Sequence, residues 1–203
     1  MIKNISFLIL ITFLIHLESK AQNTLVLVNG KKIEIGEYKY GDTYLTYKNK
    51  KGKLKSSYLN DIFSVEEQNG KEKVFYIPDS TEANAFTIEQ MRDFVNGTYD
   101  ARTNYKTPWI TTAGIIIGGG SAGLTAAGMS SLLVPVLPAF YSTGIGLIKV
   151  KKEKIDLPAN LKNNEYYLEG YVQKVNHKRI NHAILSSAAG IALGVAAVIL
   201  FAK

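Results

Sequence analysis

The sequence predicts an α+β membrane protein in which a small antiparallel β domain is followed by Gly-rich transmembrane helices. Three observations predict this fold class. The chain begins with the layout of an export signal, and residues 24–78 alternate apolar and polar side chains as β-strands do. Two stretches, 109–148 and 183–202, contain no charged side chain and are rich in Gly, Ala and Ser, which is typical of helices in lipid.

Residues 1–21 are predicted to be a signal peptide. Lys3 supplies the positive start, and residues 5–17 form an apolar segment too short to span a bilayer comfortably. Residues 19–21 (Ser-Lys-Ala) have the small-x-small pattern that precedes a cleavage site. Cleavage is therefore expected after Ala21, with an uncleaved anchor as the alternative. In both cases the chain that follows begins on the outer side of the membrane.

Residues 22–78 are predicted to form a small extracytoplasmic β domain. It opens with a hairpin, because apolar residues two apart flank Asn29-Gly30, a dipeptide that favours tight turns. Further strands are expected at 44–47, 54–58, 62–66 and 73–77, with turns at Gly41-Asp42, Lys51-Gly52 and Asn69-Gly70. Short strands with tight turns predict an antiparallel sheet or an open barrel. The lysines of this domain are expected to form a solvated face, with a site for acidic polymers as the alternative.

Residues 79–108 are predicted to be a short helical linker. Thr87 and Gln90 have the spacing of a capping box, and apolar residues at helical spacing follow them. Asn96-Gly97 is expected to end this helix. Residues 99–105 can add a further helical turn before the membrane segment begins.

Residues 109–148 are predicted to be the first Gly-rich membrane segment. As one helix they would span about 60 Å, twice the hydrocarbon core of about 30 Å, so the helix must be interrupted. Pro135 and Pro138 are the expected break. One crossing over 109–133 and a kinked or re-entrant piece over 136–148 would result. A full helical hairpin is the alternative, although its second arm would be short.

Residues 149–182 are predicted to be a basic cytoplasmic loop and helix, and residues 183–203 the second transmembrane helix. Basic residues lie near both membrane ends of the loop, which favours the cytoplasmic side. The protein is therefore expected in the inner membrane of a bacterial cell envelope. The residues expected at the membrane interface are Trp109, Lys149, Lys151, Lys152, Tyr171, Lys178 and Arg179.

Small residues recur every four positions in both apolar segments. This spacing places them on one helix face, where they let two backbones approach closely in lipid. The residues expected to pack helices together are Gly114, Gly118, Gly119, Gly123, Ser186, Gly190 and Gly194. The expected partners are the lipid bilayer and either a second copy of the chain or another membrane protein.

The segment 115–127, IIIGGGSAGLTAA, contains Gly118-x-Gly120-x-x-Gly123 and resembles the first dinucleotide-binding turn of FAD- and NAD-dependent Rossmann oxidoreductases. The resemblance implies a turn that approaches a pyrophosphate at a helix N-terminus. That family also requires an acidic residue about 20 positions further on. Because no Asp or Glu lies between Asp100 and Glu153, FAD or NAD binding is disfavoured and no cofactor is expected.

Composition excludes several other classes of function. The absence of cysteine excludes disulfides, thiol catalysis and cysteine metal sites. The net charge of +7 is not concentrated in one patch, so no nucleic-acid partner is expected. His177 and His182 lie five apart without a carboxylate pair beside them, so no metal site is predicted. No catalytic residue or small-molecule substrate is identified.

The order of motifs resembles that of a group of exported, Gly-rich helical membrane proteins of Bacteroidota-type bacteria. The resemblance rests on Ala21-Gln22, Val28-Asn29-Gly30, the stretch 91–101 (MRDFVNGTYDA), and Gly170-Tyr171 followed by Lys174, Lys178 and Arg179. That group has no assigned activity, so the resemblance implies organisation only.

The sequence therefore predicts a non-enzymatic, membrane-anchored protein whose β domain serves protein or envelope interaction. The alternative is a small oligomeric transport or permeability component whose Gly-rich helices line a path. The two apolar segments carry no charged side chain, which disfavours that alternative.

Overall fold

The computed structural model describes residues 22–79, 85–151, 155 and 157–201. Their contacts divide them into two units. The β unit contains residues 22–26 and Lys32–Phe75, and the helical unit contains Leu27–Lys31 and the residues from Tyr76 onward. The signal peptide predicted for residues 1–21 lies outside the described residues.

The β unit is a six-stranded antiparallel sheet with the spatial order β4-β3-β2-β1-β5-β6. Its strands are β1 (Asn23–Leu27), β2 (Lys32–Tyr40), β3 (Tyr44–Asn49), β4 (Leu54–Tyr58), β5 (Ile62–Glu66) and β6 (Glu72–Val74). The predicted strands and the tight turns at Gly30, Gly52 and Gly70, all with positive φ, are confirmed. Only the last strand is shorter than predicted.

The short connection between β4 and β5 shows that the sheet is curled. The two strands are four positions apart in the sheet, which is about 19 Å if the sheet were flat. A single 3₁₀ turn, Leu59–Asp61, joins them. From Tyr58 to Ile62 the chain reaches about 14 Å at most, so β4 and β5 must approach each other by curvature. The structure is therefore a single antiparallel sheet, and its curvature gives it the character of an open barrel.

The apolar interior of the β unit follows the period of two expected of strands. In β3, Leu45 and Tyr47 are buried while Lys48 is exposed. The strand β5 differs, because Ile62, Phe63, Ser64 and Val65 are all buried. The other fully buried apolar residues of the unit are Leu25 and Ile35.

The helical unit contains five helices among the described residues. They are α1 (Ile88–Asn104), α2 (Pro108–Ala126), α3 (Leu133–Leu147), α4 (Ala159–Lys162) and α5 (Glu165–Phe201). The predicted capping box begins α1: the Gln90 amide donates to Thr87 Oγ1, and the Thr87 amide donates to Gln90 Oε1. The long helix α5 runs through the polar residues 165–182 and the apolar residues 183–201 without a break.

Asn96-Gly97 does not end α1, contrary to the prediction. The helix continues to Asn104, because Gly97 packs directly against α5. A Cβ at Gly97 would lie 2.0 Å from the Tyr167 carbonyl oxygen. The glycine is therefore present for close helix packing rather than for chain reversal.

The prolines do not break the 109–148 segment either. The helix α2 ends at Ala126, and Gly128 follows its C-cap: the Gly128 amide donates to the Thr125 carbonyl and the Met129 amide to the Leu124 carbonyl. With the positive φ of Gly128, these two bonds form a Schellman motif. Pro138 lies inside α3 and does not end that helix.

Helix directions show how residues 109–148 fold, whereas the cytoplasmic placement of residues 149–182 stays a prediction. Successive contacts along α2 and α5 rise together in sequence, so these helices are parallel. The helix α3 runs back, since the Tyr141 hydroxyl donates to the Ile110 carbonyl near the start of α2 at 2.7 Å. The segment is thus a helical hairpin. Residues 165–182 consequently lie beside α1. The single predicted crossing would have put them at the far end of the first apolar helix.

Candidate functional site

The glycine seam is the line of close contact that α5 makes with α1 and α2. Its members are Gly97, Gly114, Gly118, Gly170, Gly190 and Gly194. A Cβ at Gly118 would lie 2.0 Å from the Ser187 carbonyl oxygen, and one at Gly190 would lie 2.3 Å from the Ile115 carbonyl oxygen. The two backbones are therefore in direct contact, which a side chain larger than a hydrogen atom would prevent.

The structure places most of the predicted packing residues at this seam. Gly114 faces Ser186, and Gly119 lies opposite both Gly190 and Gly194. Gly123 is different, because it is exposed and a Cβ there would meet nothing within 4 Å.

Two members of the seam, Gly97 and Gly170, are not among the predicted packing residues. A Cβ at Gly170 would lie 2.1 Å from the Phe94 carbonyl oxygen. A constant sequence separation was the signal that could have found the pairing. Gly114 and Ser186, Gly118 and Gly190, and Ala122 and Gly194 are separated by the same number of positions, as parallel helices require.

Buried hydroxyl groups along the seam are satisfied by their own helices. Ser121 Oγ donates to the Gly118 carbonyl at 2.7 Å, and Ser187 Oγ donates to the Ala183 carbonyl at 2.7 Å. Neither serine is accessible to solvent. The inside of the α2–α5 contact is therefore made of glycine, alanine and self-satisfied serine.

The outside of the same helices carries the large apolar side chains. In the most apolar part of α5 the mean hydropathy is 2.4, yet only 17% of that window is buried. Among the described helices, α5 alone has the length and composition of a membrane span. Exposed large apolar residues of the three helices include Trp109, Ile116, Phe140, Leu147, Leu185, Leu193, Ile199 and Phe201. Small residues inside and large apolar residues outside reverse the usual order of a water-soluble helix bundle.

The polar end of this bundle is held together by side chains of α5. Lys178 Nζ donates to the Arg102 carbonyl at the end of α1 at 2.8 Å. Arg179 Nη1 donates to the carbonyl of Ile148, the C-cap of α3, at 2.8 Å. His182 Nδ1 lies 2.7 Å from Thr107 Oγ1. Two helix C-termini, with their partial negative charge, therefore meet adjacent cations on α5.

Charge repulsion marks the same region. Burial, and then the positive charges of Arg102 and Lys178, hold the pKa of Lys174 below its usual value. Burial and Arg102 lower the pKa of Lys178 in the same way. The three cations are thus close enough to destabilise one another, and an anion among them would relieve that repulsion.

The predicted interface residues divide into exposed and buried ones. Trp109, Lys149 and Lys151 are exposed. Tyr171 and Arg179 are only 6% and 4% exposed, so they are packing and capping residues rather than surface anchors. Lys178 is half-buried through its contact with α1. Lys152 lies outside the described residues.

The β unit offers an open cleft of about 540 Å³ beside the irregular part of β2. Asn23 crosses it, with its Nδ2 donating to the Gly36 carbonyl at 3.1 Å. The lysines at its edge are paired: Lys48 with Glu37 at 3.0 Å and Lys50 with Glu34 at 2.6 Å. The pKa of Glu37 is lowered by its hydrogen bond and charge contact with Lys48. These pairs support the solvated face and leave less free positive charge for an acidic polymer.

The described residues contain no group of three or more His, Cys, Asp or Glu side chains that could hold a metal ion. The Gly118–Gly123 motif lies within the single helix α2, so it does not form the strand–turn–helix unit of a dinucleotide-binding fold. No protein-family model, curated protein or solved structure matches this chain.

Proposed function

We propose that this protein is a non-enzymatic, membrane-anchored protein that presents its β unit outside the cytoplasm for protein or envelope interaction. In this proposal α2, α3 and residues 183–201 of α5 cross the bilayer together. The observation that carries it is the inverted packing of these helices, with glycine and serine inside and large apolar side chains outside. In water such a surface would be unstable, whereas lipid solvates it.

Although α5 alone has both the length and the composition of a membrane span, the length of α2 also allows a crossing. At 1.5 Å per residue, α2 is about 28 Å long and residues 183–201 of α5 are of similar length, close to a hydrocarbon core of about 30 Å. The helix α3 is shorter, about 22 Å, and local thinning of the bilayer can accommodate it. None of these segments contains a charged side chain, which argues against an ion path through the bundle.

The hairpin brings two sequence cues into conflict, and the proposal decides between them. An export signal places the β unit outside, whereas the basic residues of 149–182 favour the cytoplasm. Because α3 returns to the start of α2, both polar parts belong on one side. We place them outside, since the predicted export signal acts before the later helices insert. The uncharged turn 127–132 would then face the cytoplasm.

The absence of native cysteine allows a direct test by single-cysteine labelling in intact cells. The variants are Asp42→Cys in the β unit, Asn160→Cys between α3 and α5, and Ser130→Cys in the hairpin turn. A membrane-impermeant maleimide should label the first two and not the third, until the cells are permeabilised. Label at Ser130→Cys together with protection at Asn160→Cys would overturn the topology.

Membrane anchoring itself has a separate test. The mature chain should remain in the membrane fraction after extraction with alkaline carbonate and should require detergent for solubility. A chain that is released by carbonate and stays in solution would contradict the proposal. Gly118→Leu is the control, because it should disturb the glycine seam and leave the apolar surface unchanged. This variant should therefore also resist extraction by alkaline carbonate.

A further inference from the structure

The three apolar helices carry most of their flanking positive charge at one end. Lys106 precedes α2 by two residues, Lys149 and Lys151 follow α3, and Lys178 lies one turn before the apolar part of α5. We call these four lysines the basic collar. At the opposite end, residues 127–132 contain no charged side chain. The bundle therefore has a basic end with four lysines, whereas the only charged residue that follows an apolar helix at the other end is Lys203.

The contacts among the helices place the collar at one level. The end of α1 and the end of α3 are both bonded to α5, through Lys178 and Arg179. The start of α2 is joined to the same stretch of α5 by the pair Thr107 and His182. Because these bonds join the start of α2 and the end of α3 to one stretch of α5, the lysines beside them lie near the same end of the bundle.

Carboxylates are scarce around the collar. Residues 101–152 and 170–203 contain no Asp or Glu, and the nearest carboxylates that follow Lys151 in sequence are Glu153 and Asp156. The ion pairs Lys32–Glu66, Lys48–Glu37 and Lys50–Glu34 lie in the β unit, away from the collar lysines in sequence. Arg102 and Lys174 add two further cations near Lys178, since Arg102 and Lys178 both contribute to lowering the pKa of Lys174.

Directly below the collar, the surface becomes apolar. Trp109 is 56% exposed one residue into α2, and Leu147 is 78% exposed at the end of α3. Tryptophan favours the boundary between headgroups and hydrocarbon. A ligand that fits both surfaces must combine a negative charge with an apolar chain, and an anionic phospholipid has both.

We infer that the basic collar binds the phosphate groups of anionic phospholipids in the leaflet that it faces. This inference rests on the proposed membrane anchoring, because it assigns the lipid class that surrounds the bundle. Lys106, Lys149 and Lys151 are the exposed contacts. Lys178 has two backbone acceptors at the end of α1, which leaves one of its three donors for a phosphate.

Trp109 is the single tryptophan of the chain, so its fluorescence reports on the lipids at this level. The full-length protein is reconstituted in vesicles of brominated phosphatidylglycerol or brominated phosphatidylcholine mixed with unbrominated lipid. Bromine quenches tryptophan on contact, so the ratio of the two quenching efficiencies measures preference. We expect the anionic lipid to be preferred several-fold at low salt, and the preference to fall as salt is raised.

Matched triple variants test the residues. Combining Lys106→Gln, Lys149→Gln and Lys151→Gln should abolish the preference, whereas Lys53→Gln, Lys55→Gln and Lys71→Gln in the β unit, which remove the same charge, should preserve it. Equal quenching by both lipids in the unchanged protein overturns the inference. So does a preference that survives in the collar variant.

Two further outcomes distinguish lipid phosphate from soluble phosphate, and failure of the collar inference from failure of the proposed membrane anchoring. Inorganic phosphate, added at constant ionic strength, should leave the lipid preference unchanged. If phosphate abolished that preference, soluble phosphate would be the ligand and the lipid site would be overturned. If neither brominated lipid quenches Trp109, the helices are outside the bilayer, and both the anchoring and the collar inference fall. Strong but equal quenching overturns the collar alone.

Discussion

Arg179 of α5 donates Nη1 to the carbonyl oxygen of Ile148 at 2.8 Å, and Ile148 is the C-cap of α3. The Arg179 side chain is 4% exposed, so this bond closes the polar end of the hairpin in a nearly dry environment. The next residue toward the N-terminus, Lys178, does the same for α1. One turn of α5 therefore sets where two other helices end.

Replacement of Arg179 should destabilise the bundle more than loss of a neighbouring cation. Arg179→Met removes a charge-assisted hydrogen bond, which is worth about 1.5–3 kcal/mol. Lys174→Met is the control: it removes a cation that is repelled by Arg102 and makes no such cap. Unfolding in detergent, followed by Trp109 fluorescence, should show a lower midpoint for Arg179→Met only. Equal midpoints would contradict the capping role.

Gly118→Ala should weaken the α2–α5 contact, whereas Gly120→Ala should not. A Cβ at Gly118 would lie 2.0 Å from a backbone oxygen, while one at Gly120 would meet nothing within 4 Å. Forcing a methyl group into packed structure costs about 1–3 kcal/mol or more. The two substitutions are chemically identical and lie two residues apart, so a difference in unfolding midpoint isolates the contact. Similar midpoints would remove the seam as a determinant of stability.

The local signals in the sequence predicted the elements of the β unit well. Asn29-Gly30, Lys51-Gly52 and Asn69-Gly70 are turns because glycine adopts positive φ without strain, and each lies between runs with a period of two. The capping box at Thr87 also needs only residues close in sequence. Turns and helix caps depend on residues close in sequence, so the sequence alone was enough to predict them.

The errors concern glycines whose role depends on a distant partner. Gly97 resembles a helix stop and instead faces Tyr167, while Gly128 ends α2 although two prolines nearby were the stronger local signals. Tyr171 and Arg179 have the chemistry of membrane-interface residues but are buried against other helices. Such roles depend on how α5 packs against α1, α2 and α3, which no local pattern in the sequence specifies.

Gly30→Ala should be more harmful than Gly52→Ala, although both glycines have nearly the same backbone conformation. Their φ values are +70° and +73°, so each alanine would carry the same strain, about 1–2 kcal/mol. A Cβ at Gly30 would in addition lie 2.6 Å from the Tyr99 backbone nitrogen, whereas Gly52 has open space. Thermal unfolding of the two variants should therefore differ, with Gly30→Ala the lower. An equal fall in the unfolding temperature of the two variants would mean that backbone strain alone matters at Gly30.

Tyr38 should make the stability of the β unit sensitive to alkaline pH. Burial, and then its hydrogen bond to Glu67 at 2.9 Å, raise the pKa of Tyr38 to about 12 from an ordinary value of 10.0. The protonated phenol thus favours the folded state, so its contribution is complete below pH 10.0 and is lost as the pH rises through about 12. Tyr38→Phe, which cannot ionise, should remove this part of the alkaline loss when unfolding is followed by circular dichroism.

The variant Glu67→Gln tests the cause of that shift. It removes the negative charge beside the phenol but leaves the burial of Tyr38, which is the larger cause. We expect the tyrosinate absorbance that Tyr38→Phe removes to appear at a lower pH in Glu67→Gln than in the unchanged protein, though still above 10.0. An unchanged titration would show that Glu67 does not act on Tyr38. A return to the ordinary value would show that burial contributes nothing.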